Sequence, residues 1–261
     1  MTNIIVERIT PGELSWDLYH GDHIQRYKFF SNFYHQKKVL DAACGSGYGS
    51  KIILDCGAKE VYGIDIDEEQ IHKNQQMYPD VKFIALSCEE IYKIQNLFDI
   101  VVSFETIEHL NDIEKFFQGV NKVLTKDGIF ICSTPNIKRF SESKSTILND
   151  YHKHELSYQE FTKLFSDFFS IEKKYHQSES PEFMRFLKIN HDLHQLERQI
   201  KSTIAYRLEI ILRKILGRPF QPIPFFYNKC FNQRENDFVI EEISAGEDWH
   251  KTFILVGKKK N

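Results

Sequence analysis

Short apolar runs alternate with amphipathic helical patterns along most of this chain. Apolar runs bounded by glycine, proline or charged residues predict buried strands, and apolar residues three and four apart predict helices that cover them. The runs predict strands at 38–42, 61–65, 81–86, 99–104, 128–133, 169–175 and 252–256, and the helical patterns predict helices at 50–56, 68–77, 113–124 and 160–168. This alternation favours an α/β fold with a doubly wound, mostly parallel sheet of seven strands.

One region departs from that rhythm. Apolar residues recur at helical spacing from Leu193 to Ile215, and an aromatic, proline-rich stretch follows at 219–231. We expect a helical insertion before the last strand, which acts as a lid, mediates a homodimer or only packs on the sheet. The predicted organisation is an N-terminal helical segment, a cofactor-binding core, this insertion, and a last strand with its tail, at 1–37, 38–177, 178–250 and 251–261.

Composition narrows the class of protein. The 261 residues include 34 basic and 37 acidic side chains, and the net charge of -3 argues against general nucleic-acid binding or a membrane-surface role. None of the five cysteines has C-x-x-C spacing, which argues against a cysteine zinc site and favours a reducing compartment. The first residues lack a signal pattern and no apolar run reaches membrane-spanning length, so we expect a cytoplasmic protein without a membrane span.

A glycine-rich turn follows the first predicted strand, in the segment D-A-A-C-G-S-G-Y-G that begins at Asp41. Glycines there let the backbone approach a ligand and direct helix amides toward it. Asp65 ends the second strand, where an acid can accept hydrogen bonds from ribose hydroxyls. A dinucleotide fingerprint would place glycine where this chain has Ser50. Asp41 also suits a positively charged aminoacyl cofactor better than a pyrophosphate.

A second polar cluster, Glu105, Glu108 and His109, follows the fourth predicted strand. Residues three and four apart on a helix share a face, so we expect these side chains to converge at the sheet edge where open α/β folds bind ligands. Two carboxylates and an imidazole in such a place are suited to metal binding or to acid–base chemistry. Solvated charges on a helix are the alternative.

Four segments resemble class I S-adenosylmethionine-dependent methyltransferases: D-A-A-C-G-S-G-Y-G, G-I-D-I-D, F-D-I-V-V-S-F-E-T-I-E-H-L and G-I-F-I-C-S-T-P-N. The resemblance covers roughly residues 39–168 and implies a Rossmann-like fold that binds S-adenosylmethionine. Relatives carry an acid for the adenine amino group after strand three, where this chain has Ser87 and Cys88 followed by Glu89. The implied cofactor contacts are Asp41, Gly45, Ser46, Gly47, Asp65, Ile66, Ser87, Cys88 and Phe104.

The pattern E-x-x-E-H resembles two groups of metal-dependent O-methyltransferases, one acting on catechol-like rings in ubiquinone synthesis and one on the terminal ribose of small RNAs. The resemblance implies a divalent metal (Mg, Mn or Fe) bound by Glu105, Glu108, His109 and His152. Such an ion would bind a vicinal diol and lower the pKa of the attacking hydroxyl. It also implies catalytic roles for Glu108, His109 and His154, with either histidine as the proton acceptor.

Two N-terminal segments, at 7–12 and 23–27, resemble methyltransferases of bacterial surface-polysaccharide pathways, as does the later run that ends in H-x-H-E-L-S. This resemblance implies a sugar hydroxyl as acceptor, on a nucleotide-linked sugar or a glycan such as a capsule or O-antigen precursor. Tyr19, Arg26 and Tyr27 would then close over the cofactor or the diol. Two alternatives stay open: a catechol or other aromatic hydroxyl as acceptor, and a non-catalytic cofactor-binding partner subunit.

Overall fold

A single mixed sheet organises the part of the chain that the computed structural model describes, which is residues 14–136, 153–154, 156–182, 184–185, 238–243 and 252–260. Its strands are β1 (Lys38–Ala42), β2 (Glu60–Asp65), β3 (Lys82–Ala85), β4 (Phe98–Ser103), β5 (Leu124–Pro135), β6 (Phe169–Glu179), β7 (Phe238–Glu242) and β8 (Thr252–Lys259). The helices are α1 (Leu14–Phe29), α2 (Ser31–Tyr34), α3 (Tyr48–Asp55), α4 (Glu68–Met77), α5 (Ile113–Val123) and α6 (Tyr158–Phe168). Two 3₁₀ turns cover Cys88–Lys93 and Ile107–His109.

The strand order is β3-β2-β1-β4-β5-β8-β6-β7. The five strands from β3 to β5 pair in parallel, whereas β8 runs antiparallel between β5 and β6 and β7 pairs antiparallel with β6. The order reverses direction between β1 and β4, and such a switch point opens a crevice at the carboxyl ends of the strands. The turns after β1, β2 and β4 therefore meet at one edge of the sheet.

The predicted α/β class and the mostly parallel Rossmann-like sheet are confirmed, but the predicted count of seven strands is wrong. The eighth strand, β7, lies within 178–250, the region predicted to be a helical insertion. It is a short edge strand of five residues with only two buried positions. So short a run gives a weak strand pattern, and the region around it was therefore predicted to be helical. The predicted helix at 193–215 and the aromatic stretch at 219–231 lie outside the described residues.

Side-chain caps determine where several helices begin. The carboxylate of Asp67 accepts a hydrogen bond from the Gln70 amide, and α4 occupies the predicted range of 68–77. Ser157 and Glu160 form a reciprocal capping box, so α6 starts two residues before the predicted bound of 160.

Aromatic side chains fill the layers on both faces of the sheet. One layer contains Phe117, Phe130 and Phe165, and the rings of Phe130 and Phe165 stack with centroids 5.5 Å apart. The opposite layer contains Tyr27 of α1 together with Phe30 and Tyr34. Helix α1 is therefore part of the core packing beside the switch point. None of the helices in the described ranges combines the length and the apolar character that a membrane crossing requires.

Candidate active site

The turn after β1 approaches the sheet edge in a conformation that favours glycine. Its φ angles are positive at Ala43 (63°), Gly45 (52°) and Gly47 (78°). A Cβ atom on Gly47 would lie 2.9 Å from the side chain of Asn74, so the turn is tightly seated against α4. The amide of Asn74 also donates a 2.8 Å hydrogen bond to the carbonyl oxygen of Gly45. Asn74 was not predicted, because a single polar residue within a polar helix carries no sequence signal.

The end of β2 is joined to this turn by Asp65. Its carboxylate accepts hydrogen bonds from the main-chain amides of Gly45 (2.9 Å) and Asp67 (3.0 Å). The next side chain, Ile66, is 74% exposed, although apolar side chains of this size are usually buried. A polar acid and an exposed apolar side chain thus stand side by side next to the glycine-rich turn.

Glu89, the acidic residue of the turn after β3, is hydrogen-bonded to main-chain amides of the protein. The Ser87 hydroxyl accepts a hydrogen bond from the Glu89 amide and so begins the 3₁₀ turn, and burial raises the pKa of the Cys88 thiol. The carboxylate of Glu89 accepts from the amides of Asn111 (2.6 Å) and Asp112 (3.2 Å). Glu89 is thus bonded to the segment before α5. We therefore predict that the adenine amino group is contacted by Ser87 and Cys88, at the other end of this turn.

Asp41 is fully buried beneath the glycine-rich turn. Its two carboxylate oxygens accept hydrogen bonds from the hydroxyls of Tyr27 (3.1 Å) and Ser50 (2.7 Å). Burial raises the pKa of Asp41 to about 7 despite these two bonds. The ring of Tyr27 lies against Gly49, where a Cβ atom would come within 2.1 Å of it. Tyr27 therefore supports the turn from below, and its predicted contact with substrate stays a prediction.

The segment after β4 differs from the predicted helical face. Only Ile107–His109 form a 3₁₀ turn, and Glu105 precedes it with a φ of 51°, which a non-glycine residue adopts at a cost in free energy. Ser133 holds Glu105 in this conformation: its hydroxyl donates to the Glu105 carboxylate (2.7 Å) and accepts from the Glu105 amide (3.2 Å). The expectation that the three polar side chains share one α-helical face was therefore wrong. Phe104, the residue before them, is buried against Tyr27.

Glu108 lies deeper, with only 1% of its surface exposed. Its Oε2 accepts a hydrogen bond from the Thr134 hydroxyl (3.3 Å), and its Oε1 has no hydrogen-bond partner within the described part of the chain. The nearest cationic candidate is His109, whose Nε2 lies 3.9 Å from that oxygen and whose side chain is 33% exposed. Burial and the neighbouring Glu105 carboxylate raise the pKa of Glu108 well above its usual range.

The loop after β5 returns to this turn through its backbone. The amides of Lys153 and His154 both donate to the carbonyl oxygen of Glu108, at 2.7 and 3.1 Å. These bonds bring the main chain of His154 beside Glu108, and the catalytic role expected for its side chain stays a prediction. His152, the predicted fourth metal ligand, lies outside the described residues.

Arg26 of α1 is fully buried at the same edge. Its Nη1 donates to the side-chain oxygen of Gln177 (2.6 Å) and lies 3.9 Å from the Glu105 carboxylate, while its Nη2 lies 3.9 Å from Asp22. The guanidinium thus faces protein groups, and its predicted contact with substrate stays a prediction. The side chain of Tyr19 lies outside the described residues. Ser133, Asp22 and Gln177 were not predicted, although Ser133 lies within the S-T-P-N segment of the resemblance.

The described side chains do not fit the predicted metal centre. No group of three or more histidine, cysteine, aspartate and glutamate side chains in the described ranges is placed to hold a metal ion. The physical reason is that the Glu105 carboxylate is engaged by Ser133 and Arg26 while Glu108 is engaged by Thr134.

An open α/β sheet with a glycine-rich turn at its switch point and an acid at the end of β2 defines a nucleoside-binding fold of the methyltransferase type. Residues 35–198, more than half of the chain, match the family model described as "Methyltransferase domain". The chain belongs to this family, the class I S-adenosylmethionine-dependent methyltransferases.

Curated relatives share part of this region. A "Probable S-adenosylmethionine-dependent methyltransferase" from Mycolicibacterium smegmatis is 35% identical over 158 residues, which cover 60% of this chain and 61% of the relative. A ubiquinone biosynthesis O-methyltransferase from Pelagibacter ubique is 33% identical over 105 residues, which cover 38% of this chain and 42% of the relative. The chain thus spans less than two thirds of the length of each.

Solved structures agree in fold. An S-adenosylmethionine-dependent methyltransferase from Thermotoga maritima superposes with a TM-score of 0.55 at 13% identity, covering 91% of this chain and 92% of that one. An N-methyltransferase from Bradyrhizobium japonicum, in complex with S-adenosyl-L-homocysteine, gives 0.53 at 9% identity, covering 92% and 87%. At these identities the likeness concerns the fold alone.

The residues present fit S-adenosylmethionine, the cofactor of this family. The left-handed glycines leave the backbone of the β1 turn open to close approach, and Asp65 stands at the end of β2 for a ribose. The exposed Ile66 offers an apolar face to a purine ring. Contact of Asp65 with the ribose and of Ile66 with the purine stays a prediction.

Proposed function

We propose that this protein is an S-adenosylmethionine-dependent O-methyltransferase whose acceptor is a sugar hydroxyl, on a nucleotide-linked sugar or a glycan end. The observation that carries the proposal is the pair formed by Glu108 and His109. Glu108 is buried with one oxygen lacking a hydrogen-bond partner in the described structure, and His109 stands 3.9 Å in front of it with a third of its side chain exposed. The O-methyltransferases among the relatives support a hydroxyl acceptor.

The chemistry of the pair follows from this arrangement. When bound, S-adenosylmethionine supplies an electrophilic methyl group on a sulfonium centre. A sugar hydroxyl is a weak acid, so its attack on that methyl requires a group that takes its proton. His109 is the exposed member of the pair and accepts the proton at Nδ1, since its Nε2 is the nitrogen that faces Glu108. An imidazolium at His109 favours the ionised form of Glu108 against the burial that raises its pKa, and the carboxylate in turn stabilises the imidazolium, much as in a hydrolase triad.

His154 is the second candidate for the proton acceptor. Its main chain is bonded to the carbonyl oxygen of Glu108, so its imidazole belongs to the same edge of the sheet. Asp41 and Ser50 lie under the cofactor turn and have no part in proton transfer, because both oxygens of Asp41 are already occupied by hydroxyl groups.

A panel of acceptors with labelled S-adenosylmethionine tests the proposal. We expect methyl transfer to a sugar nucleotide or glycan end, and a loss of about 10²-fold or more in kcat for His109→Gln. His72→Gln, a change to an exposed histidine on α4, is the matched control and leaves turnover unchanged. Methylation of an amine substrate in preference to every hydroxyl in the panel would refute the proposal.

An aromatic hydroxyl is the second candidate acceptor, favoured by the ubiquinone biosynthesis relatives. A catechol is much more acidic than a sugar and depends less on a proton acceptor. If catechols are the acceptors, His109→Gln retains most of its turnover at alkaline pH. If sugars are the acceptors, raising the pH restores little activity.

The proposal routes no step through a divalent metal, because the acidic and histidine side chains in the described ranges form no three-ligand group. We therefore expect turnover to persist in excess EDTA. A cytoplasmic location stays a prediction. A homodimer formed through residues 178–250 is also a prediction, and light scattering of the purified chain would test it.

A further inference from the structure

Three acidic side chains gather around one buried cation at the active edge. Arg26 is fully buried and carries the only guanidinium charge that the described structure brings into ion-pair distance of two of these acids, Asp22 and Glu105. Glu108 is also near enough for Arg26 to lower its pKa, although burial has the larger and opposite effect. Burying a carboxylate without a compensating charge costs several kcal/mol, so this edge requires a cation.

The strained backbone of Glu105 points to the same conclusion. A φ of 51° persists at a non-glycine residue only where its surroundings hold it there. Ser133 contributes two hydrogen bonds, but a hydroxyl cannot neutralise the carboxylate. The Nη1 of Arg26, 3.9 Å from Glu105 Oε1, supplies the missing charge, and Gln177 fixes the guanidinium from the β6 side at 2.6 Å.

We propose that Arg26 is a positioning residue that fixes the Glu105 carboxylate beside the catalytic pair, in the electrostatic role that a bound metal ion would otherwise fill. Through Gln177, the same side chain ties α1 to β6. The sequence pattern E-x-x-E-H therefore marks an edge that is neutralised from within by the N-terminal helix. This inference rests on the proposed function only for the location of the reaction.

Binding of Mn²⁺ is the first test, and it needs no turnover. Electron paramagnetic resonance of the wild-type chain with Mn²⁺ and S-adenosylhomocysteine is expected to show only free ion, because the guanidinium already compensates Glu105. Stoichiometric Mn²⁺ binding by the wild-type chain that Glu105→Gln abolishes would overturn the proposal.

A double-mutant cycle is the second test. Arg26→Met removes the cation beside Glu105 and Asp22 and is expected to lower Tm by about 6 °C or more. Adding Glu105→Gln is expected to recover most of the lost Tm, whereas adding the matched change Asp22→Asn is expected to recover less of it. Arg26→Lys keeps the charge but not the planar guanidinium, so it is expected to lower Tm less than Arg26→Met does. If Asp22→Asn restores Tm and Glu105→Gln does not, Arg26 serves α1 alone and the proposal fails.

Kinetics separate positioning from simple folding support. For the folded Arg26→Lys variant we expect kcat to fall about tenfold or more while KM for S-adenosylmethionine changes little. A loss confined to cofactor affinity would assign Arg26 to cofactor binding and overturn the positioning role. If no acceptor supports turnover, the proposed function fails while the Mn²⁺ and Tm measurements still decide the role of Arg26.

Discussion

Two buried carboxylates stand at the same sheet edge in opposite surroundings. Asp41 has a protein donor for each oxygen, whereas Glu108 has one donor and one oxygen without a hydrogen-bond partner in the described structure. A buried polar atom without a partner costs about 1–3 kcal/mol. Asp41 is therefore suited to hold the cofactor turn in place, and Glu108 is suited to interact with a group that arrives with the reaction.

Helix α1 contacts both the cofactor turn and the catalytic edge through two neighbouring residues. Tyr27 donates to Asp41 beneath the glycine-rich turn, and Arg26 lies beside Glu105 on the other side of the switch point. Successive helical residues point about 100° apart, so a single helix reaches both places. The N-terminal helix is therefore a structural part of both the cofactor turn and the catalytic edge.

The largest expected effect comes from the Glu108 side. Glu108→Gln keeps the shape but removes the ionisable carboxyl group behind His109, so kcat is expected to fall by about 10²–10⁴-fold with S-adenosylhomocysteine affinity nearly unchanged. Methyl-transfer kinetics and calorimetric titration measure the two quantities. Glu69→Gln, an exposed acid on α4, is the control without effect. An equal loss of affinity would show that Glu108 belongs to the cofactor site and end the contrast with Asp41.

Gly49→Ala tests the support beneath the cofactor turn. The new methyl group would lie 2.1 Å from the Tyr27 ring, so we expect a loss of about 1–3 kcal/mol in the free energy of unfolding, measured in urea. The double variant Tyr27→Ala with Gly49→Ala is the control, because removing the ring makes room for the methyl. Its destabilisation is expected to be smaller than the sum of the two single changes; strict additivity would contradict this account.

Tyr27→Phe removes the hydroxyl donor from Asp41 and keeps the ring. We expect a loss of about 1–2 kcal/mol in unfolding free energy, because one oxygen of a buried acid loses its partner. Tyr62→Phe is the matched control, since the Tyr62 hydroxyl meets the half-buried Glu60 at only 3.5 Å; about 0.5 kcal/mol or less is expected there. Similar losses at both positions would show that the hydrogen bond from Tyr27 to Asp41 stabilises the fold no more than the one from Tyr62 to Glu60.

The pH dependence of stability gives the smallest expected effect. Burial raises the folded-state pKa of Asp41 to about 7, above its ordinary value of 3.8, so the folded chain holds this proton more tightly than the unfolded chain. The associated stability is present at low pH and is lost as pH rises through about 7. Between about pH 6 and about pH 8 the loss should be about 1 kcal/mol, and Asp41→Asn should flatten it. An unchanged slope in Asp41→Asn would refute the assignment.

Local sequence patterns predicted much of the fold. The range of α4 matches its prediction because an acidic cap and a following proline delimit it. Strands β1 to β4 lie within one residue of their predicted bounds, whereas β5 begins at Leu124, four residues before the predicted 128. Strand β7 was missed because its edge position leaves only part of it buried. The segment after β4 was located correctly but assigned the wrong conformation, since spacing alone does not distinguish an α-helix from a 3₁₀ turn that follows a left-handed residue.

The residues at the carboxyl ends of β1, β2 and β4 could be read from the sequence, because each follows an apolar run directly along the chain. Their contacts depend on the packing of the folded chain. Arg26 and Gln177 are 151 positions apart, and Glu105 and Ser133 are 28 apart, yet each pair is bonded. Such partnerships depend on the order of strands in the sheet and on where α1 packs. The acids that resemble a metal site in sequence therefore became, in the fold, the neighbours of a buried arginine.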